Sequence, residues 1–156
     1  LDHEDPAVRA VCVDTLGHIT DSNTAPLHKL LDCTGDAKAI VRHAALQALR
    51  KVACRGDPCV VARVSVLLSD LEAGVRQAAA AALVQVADHG DRQAVAALCG
   101  ALADDAWSVR RACAESLGKV AVAGDRAAAD ALASRLALRN EHTLVLKAAE
   151  EWILWL

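Results

Sequence analysis

The stretch that decides the fold is AGVRQAAAAALVQVADHGD, residues 73–91. Four apolar residues share one face of the helix that this stretch predicts: Val75, Ala78, Leu83 and Val86. Gly90 follows the helical run, where glycine permits the left-handed conformation that ends a helix. Asp91 then supplies a side chain that caps the start of a new helix. The stretch therefore predicts one helix, a sharp turn and the beginning of a second helix.

The same pattern recurs along the chain with a period of about 34 residues. A Val-Arg pair opens each copy: Val8-Arg9, Val41-Arg42, Val75-Arg76 and Val109-Arg110. A Gly-Asp pair follows in three copies: Gly56-Asp57, Gly90-Asp91 and Gly124-Asp125. A fifth copy begins at Val145, where Leu146 replaces the arginine. We call the helix that begins at each Val-Arg pair helix B, and its valine the repeat valine.

A second helix, helix A, is predicted between each Gly-Asp turn and the next helix B. Its expected core positions are Leu31, Val64, Leu98 and Leu132. A lone hairpin of two such helices cannot bury both apolar sides, so the hairpins must stack into a solenoid. The fold class predicted is therefore all-α, an α-α superhelix of about four and a half hairpins.

One solenoid domain is predicted over residues 1–156. Its repeat units are expected at about 1–22, 23–55, 56–89, 90–123 and 124–156. Neither end carries a polar capping repeat, so we expect the chain to be a fragment of a longer array.

Composition limits the classes of partner. Hydrophobic residues make up 54% of the chain, and Phe, Tyr and Met are absent, so the core must consist of Ala, Val and Leu. The net charge is −3, with 17 basic and 20 acidic residues intermixed, which argues against a nucleic-acid-binding surface. No apolar run approaches the roughly 18–20 residues that a membrane span needs. The expected partners are therefore proteins, with no nucleic acid and no membrane-spanning segment.

The repeated pattern D-x-x-V-R-x-A…A-L-x-x-V-A-x-x-G-D resembles short HEAT repeats, and most closely those of phycobilin-lyase-related proteins. This resemblance implies a superhelical solenoid in which the arginines of the Val-Arg pairs line a ladder with acidic turn residues. The ladder arginines are Arg9, Arg42, Arg76 and Arg110. The acidic candidates for the ladder are Asp5, Asp36, Glu72 and Asp105.

Two functions are compatible with this resemblance. The leading hypothesis is a non-catalytic protein-binding scaffold or a subunit of a larger complex, photosynthetic or ciliary, without a cofactor. Its partner would lie against the B helices, which usually line the concave side of such solenoids. The alternative is a phycobilin-lyase-like protein that binds a bilin and helps to attach it to a cysteine of another protein. No residue pattern in the sequence marks a bilin pocket.

The candidate binding residues lie two, six and ten positions after each repeat valine, on the side of helix B that faces away from the core. We call this set the ridge: Ala10, Asp14, His18, His43, Gln47, Lys51, Gln77, Ala81, Gln85, Arg111, Glu115, Lys119, Lys147, Glu151 and Trp155. Ala81 is small, so a partner can approach closely there. Aromatic side chains are frequent in interface hot spots, so Trp107 and Trp155 are further contact candidates. For Trp152 and Trp155, burial against another repeat is the competing interpretation.

Catalytic and metal chemistry find little support in the sequence. The HEAT-repeat enzyme deoxyhypusine hydroxylase binds iron through several His-Glu pairs, whereas this chain has only His3-Glu4. One such pair cannot hold two irons, so no metal site is predicted.

The six cysteines form no CxxC pair, which favours an intracellular reducing compartment such as the cytoplasm or a plastid. Cys12 and Cys113 stand at helix-packing positions. Cys54 and Cys59 flank the stretch RGDPC, residues 55–59, and a redox role for them stays open. The RGD tripeptide itself belongs to the repeat, because Gly56-Asp57 recurs in later copies, so an adhesive loop is disfavoured.

Overall fold

The computed structural model describes residues 1, 3–19, 27–138 and 141–154. Over these residues the chain forms nine α-helices and no strand, which confirms the all-helical superhelix. The helices are α1 (Pro6–Ile19), α2 (Leu27–Cys33), α3 (Ala39–Val52), α4 (Pro58–Val66), α5 (Ala73–Val86), α6 (Arg92–Ala101), α7 (Trp107–Val120), α8 (Arg126–Leu136) and α9 (Thr143–Ile153). A 3₁₀ turn at Leu67–Ser69 extends α4.

The helices form two layers. The B layer contains α1, α3, α5, α7 and α9, and each A helix (α2, α4, α6 and α8) packs on the B helix that follows it. Neighbouring B helices contact each other more extensively than neighbouring A helices do. At Gly17 a β-carbon would lie only 2.8 Å from the Cα and Cβ of Ala48, so α1 and α3 are in very close contact. The placement of the B helices on the concave side of the superhelix stays a prediction.

The repeat valines form the centre of the core. Val41, Val75, Val109 and Val145 are at most 2% exposed, and Leu49, Leu83 and Leu117 are fully buried. The first repeat differs, since Val8 is 39% exposed and Val11 is 66% exposed. In α1 the buried residues are Ala10, Val13 and Gly17, on the side that packs against α3. The repeat pattern predicts burial of Val8, and of Val11 at the position that Ala78 holds in α5. No described helix covers that side of α1, so this prediction is wrong for both residues.

The A helices contribute one central residue each. Val64, Leu98 and Leu132 are fully buried, as the repeat predicts. In α2 the fully buried residue is Leu30, whereas the predicted Leu31 is only half-buried. Leu30 stands eleven residues before its repeat valine, the same separation as for Val64 and Leu98. In α2, α4 and α6 the buried residue therefore keeps a constant distance to the following helix B, whereas Leu132 of α8 stands thirteen residues before Val145.

The Gly-Asp turns link each repeat to the next one. Their glycines have positive φ angles, 79° at Gly56, 78° at Gly90 and 85° at Gly124. The N–H of Gly56 donates to the carbonyl oxygen of Val86 at 2.8 Å, and that of Gly90 donates to Val120 at 2.7 Å. Those oxygens end α5 and α7, where helix carbonyls otherwise have no partner. The turns at Gly56 and Gly90 therefore each cap the B helix of the following repeat.

The RGDPC stretch takes part in the same turn. The Arg55 Nε donates to the carbonyl oxygen of Ala87 at 2.8 Å, and the Asp57 carboxylate accepts the N–H groups of Cys59 and Val60 at the start of α4. Pro58 occupies the first turn of α4, where no backbone N–H is needed. Arg55, Gly56 and Asp57 thus make hydrogen bonds within and between repeats, as expected of a helix stop followed by a helix cap.

We expect Asp91→Ala to lower the free energy of unfolding by about 1 kcal/mol, the usual value for a lost N-cap. The Asp91 carboxylate accepts the Ala94 N–H at 2.9 Å, and alanine leaves that donor without a partner. The matched control is Asp88→Ala in the same turn, whose exposed side chain pairs with Arg55 only at 4.0 Å and should change stability by less than about 0.5 kcal/mol. Urea denaturation of both variants measures the difference. Equal losses would show that the cap has no special role.

Candidate protein-binding face and arginine ladder

Four arginines at the start of the B helices form ion pairs between consecutive repeats. Each pairs with an acid that lies 27 to 31 residues later in the chain. The shortest N–O distances are 2.8 Å for Arg9–Asp36, 2.6 Å for Arg42–Asp70, 2.5 Å for Arg76–Asp104 and 2.6 Å for Arg110–Glu141. All eight side chains are at least four-fifths buried. The pairs therefore span every B-helix interface from α1 to α9.

The same guanidinium groups also bind the turn of their own repeat. The Arg42 Nη1 donates to the carbonyl oxygen of Asp36 at 2.9 Å, while its Nε and Nη2 donate to both carboxylate oxygens of Asp70. Arg76 and Arg110 make the corresponding bonds to the carbonyl oxygens of Asp70 and Asp104. Each arginine thus joins two successive turns through charge-assisted hydrogen bonds, which are stronger than neutral ones.

The acids of the ladder differ from those expected from the sequence. Asp36 accepts from Arg9, but Asp5, Glu72 and Asp105 form no ion pair with a ladder arginine. The residues used instead are Asp70, Asp104 and Glu141. Asp36, Asp70 and Asp104 share one position, five residues before the repeat valine. The predicted acids were the nearest ones before each helix B, and they stand at different distances from the repeat valine. The arginine side chain instead reaches forward to the turn of the next repeat.

His3 occupies the ladder position of the first repeat. Its Nδ1 accepts the Asp5 N–H at 3.0 Å, just as Oδ1 of Asp36 accepts the Lys38 N–H at 2.8 Å. His3-Glu4 therefore forms part of a polar turn that matches the turns of the later repeats.

The ladder lowers the pKa values of its acids. For Asp36 the hydrogen bonds from Arg9 are the main cause of the lower pKa. For Asp70, Asp104 and Glu141, burial alone would raise the pKa. Hydrogen bonds from the arginine and a backbone N–H, together with the nearby positive charges, outweigh burial and keep each pKa below its ordinary value. All four groups therefore stay ionised at neutral pH.

These shifts predict how stability depends on pH. A carboxyl group whose pKa is lower in the folded state adds stability in full above its unfolded-state pKa, about 4, and this contribution is lost as the pH falls through the folded-state value. We expect the urea midpoint to be steady from neutral pH to about pH 5 and to fall below about pH 4. The double variant Arg42→Met/Asp70→Leu should show a shallower fall, since one ladder pair is gone. An identical acid profile in both proteins would contradict a role for the ladder.

Comparison with known protein families agrees with this geometry. The family model described as HEAT repeats matches residues 60–153, which is more than half of the chain. The chain belongs to the HEAT-repeat family. HEAT repeats generally mediate protein–protein interactions and are typically non-catalytic. The match is to HEAT repeats in general, so the closer resemblance to phycobilin-lyase-related proteins stays a prediction. No curated protein matches the chain.

The ridge of this HEAT protein lies on the side of the B layer that faces away from the A helices. Its exposed members are Asp14, His18, His43, Lys51, Gln77, Gln85, Arg111, Lys119, Lys147 and Glu151. Gln47, Ala81 and Glu115 are half-buried. Ala10 is buried against α3, because the close approach of α1 and α3 covers it, so its assignment to the ridge is wrong. Trp155 lies outside the described residues.

Two groups of ridge charges are paired within the chain. The Lys51 Nζ lies 3.4 Å from the Asp14 carboxylate and 2.8 Å from the His18 Nε2, which connects α3 to α1. In α7 the Arg111 Nε donates to the Glu115 carboxylate at 2.7 Å. Lys119 forms no ion pair with any described residue. The central part of the ridge therefore has a cation that is available to a partner.

A cavity of about 220 Å³ opens on the ridge between α3, α5 and α7. The short side chains of Ala81 and Ala112 leave this space open. Gln77, Gln85 and Lys119 also line it. Arg50 also lines the cavity, although it is not among the ridge residues predicted from the sequence. Its place, nine residues after the repeat valine, holds Val84 in α5 and Gly118 in α7, so no periodic pattern points to it.

The tryptophans occupy two different environments. Trp107 is 41% exposed and stacks on His142, with ring centroids 4.0 Å apart and an angle of 8° between the planes. This stack joins the start of α7 to the turn before α9. Trp152 is partly buried against the core beside Gly118, where a β-carbon on Gly118 would overlap its indole ring. Trp152 is thus a packing residue, whereas Trp107 keeps a partly open face.

The metal-ligating and thiol side chains of the described residues are dispersed over the fold. There, no three His, Cys, Asp or Glu side chains are grouped so as to hold a metal ion. Burial raises the pKa of Cys113 to about 12, so this thiol stays protonated. Cys54 and Cys59 are exposed free thiols beside the Gly56 turn.

None of the described helices combines the length and apolar character required to cross a bilayer.

Proposed function

We propose that this HEAT solenoid is a non-catalytic scaffold or complex subunit that binds a protein partner along the ridge. The observation that carries the proposal is the cavity on the B layer, which three successive helices line with polar and charged side chains. The scattered cysteines favour an intracellular reducing compartment for this role.

The mechanism is recognition by shape and charge. The ladder and the glycine caps hold both ends of α5 and α7, so the central ridge side chains project from a rigid support. A rigid surface loses little conformational entropy on binding, which favours affinity. Because the ridge mixes charges of both signs, specificity depends on the partner placing complementary groups along several repeats.

Site-specific photo-cross-linking tests the location of the binding face. A photoreactive amino acid replaces Gln85 on the ridge, and in a matched control it replaces Gln93, an exposed residue of α6 in the A layer. In extract from the source cells, we expect a discrete cross-linked protein from position 85 and none from position 93. Equal cross-linking from both positions, or none from either, would contradict the proposal.

We expect Lys119→Glu to weaken the complex with that protein about tenfold or more, because it reverses an unpaired charge on the ridge. The melting temperature should not change, since the side chain is exposed and forms no ion pair within the described residues. Binding by the purified cross-linked partner and thermal melting of the variant are the two measurements. A variant that unfolds more easily yet binds normally would remove Lys119 from the binding face.

A further inference from the structure

Arg50 is the one described arginine with a buried guanidinium nitrogen that has no hydrogen-bond partner among the described residues. Its Nη1 donates to Oε1 of Gln47 at 2.9 Å, and the nitrogen without a partner is Nε. A guanidinium group has five N–H donors, and the ladder arginines direct theirs to a carboxylate and to backbone carbonyls. No described carboxylate lies within ion-pair distance of Arg50. What Arg50 lacks is an acceptor, and a negatively charged one would also balance its charge.

The space beside Arg50 is suited to a small acceptor group. The cavity of about 220 Å³ can hold one or two side chains but not a folded segment. Ala81 and Ala112 line it with short side chains, which leaves room beside Arg50 for an entering group. Val84 also lines it, which provides apolar contact for the methylene groups of an entering side chain.

The charges around the cavity favour an anion. Arg50 and Lys119 both line it, and neither has an ion-pair partner among the described residues. Glu115 is the one carboxylate in the lining, and the Nε of Arg111 already binds it at 2.7 Å. Two unpaired cations therefore face a single carboxylate whose charge is balanced elsewhere.

Two amide side chains complete the border of the cavity. Gln77 and Gln85 each carry a donor and an acceptor, and neither has a hydrogen-bond partner among the described residues. Such groups pair well with the N–H and C=O of a peptide backbone. The lining thus combines cations for a carboxylate with amides for the chain that carries it.

We propose that the cavity between α3, α5 and α7 receives an acidic side chain, Asp or Glu, of a protein partner that lies across the ridge. Arg50 and Lys119 bind the carboxylate, and Gln77 and Gln85 bind the neighbouring backbone. This inference rests on the proposed function, since it names the chemistry of the partner at the centre of the same face.

Nuclear magnetic resonance titration of the full chain tests this chemistry without a known partner. The probes are a capped peptide of alternating Glu and Ala, the matched peptide of alternating Gln and Ala, and inorganic phosphate. We expect the Glu peptide to shift the Arg50 Nε–H resonance and the backbone amides around the cavity. The Gln peptide should leave them unchanged. A Glu peptide without effect, or one matched by the Gln peptide, would overturn the proposal, as would a response to phosphate alone.

Neutral substitutions in the lining give the second measurement. Arg50→Met and Lys119→Met should each weaken binding of the Glu peptide at least fivefold, while Lys51→Met, on the same ridge but outside the cavity lining, should change it less than twofold. Equal losses in all three variants would indicate general charge attraction and overturn the site. Cross-linking from position 85 that persists without carboxylate-dependent binding would reject this inference and retain the proposed function.

Discussion

Leu83→Ala is expected to lower the free energy of unfolding by about 2–5 kcal/mol, the range for removing a buried leucine side chain. Leu83 is fully buried in α5, the central B helix, between neighbours on both sides. The repeats around it are rich in alanine, whose short side chains cannot move to fill the space. The cavity left behind therefore adds to the lost burial of apolar surface.

The matched control for this variant is Leu71→Ala. Leu71 lies in the turn before α5 and is 94% exposed, so the same chemical change removes almost no burial. We expect a change of less than about 0.5 kcal/mol there. Urea denaturation followed by circular dichroism gives both values. An unchanged midpoint for Leu83→Ala would mean that the register of the B helices is wrong.

Arg42→Met should lower the free energy of unfolding by about 2–3 kcal/mol, which is between the values for exposed and for fully buried ion pairs. The side chains of Arg42 and Asp70 are 12% and 6% exposed, so the variant leaves a carboxylate that is largely shielded from water and without its counter-ion. It also leaves the carbonyl oxygen of Asp36 without the Arg42 donor. Both losses act at the interface between α3 and α5.

A double-mutant cycle separates the pairing from the other contacts of Arg42. Asp70→Leu alone should also be destabilising, but the double variant Arg42→Met/Asp70→Leu should lose less than the sum of the two, by at least about 1 kcal/mol. Arg111→Met is the control, because its pair with Glu115 is exposed and should be worth no more than about 0.5 kcal/mol. Additive losses in the cycle would show that the pair adds no coupling between repeats.

The periodic part of the fold could be read directly from the sequence. The positions of Val41, Val75 and Val109 depend only on the side of the helix that faces the core, and this is the same in every internal repeat. Val8 could not be assigned in this way, because its exposure depends on which helices surround α1 and not on the α1 sequence. A repeat pattern specifies the unit but not the neighbours of its first copy.

The candidate site was less accessible to sequence reasoning. The pairing of Arg42 with Asp70 joins residues 28 positions apart, and only the stacking geometry shows that the guanidinium points forward to the next turn. The shared position of Asp36, Asp70 and Asp104 was available in the sequence and could have indicated the pairs. Arg50 had no comparable signal, since it departs from the repeat, and only its unfilled donors beside a cavity identify it.

The direction of the ladder has a consequence for how such chains lengthen during evolution. Each internal unit contributes one acid that pairs with the preceding repeat and one arginine that pairs with the following repeat, as Asp70 and Arg76 do. A tandem duplication of one whole unit would therefore create a new pair at the new junction and leave every older pair intact. Leu146 stands where the fifth arginine would be, so a copy added after α9 would lack this connection. Duplication of an internal unit is therefore chemically easier here than duplication of the unit that contains α9.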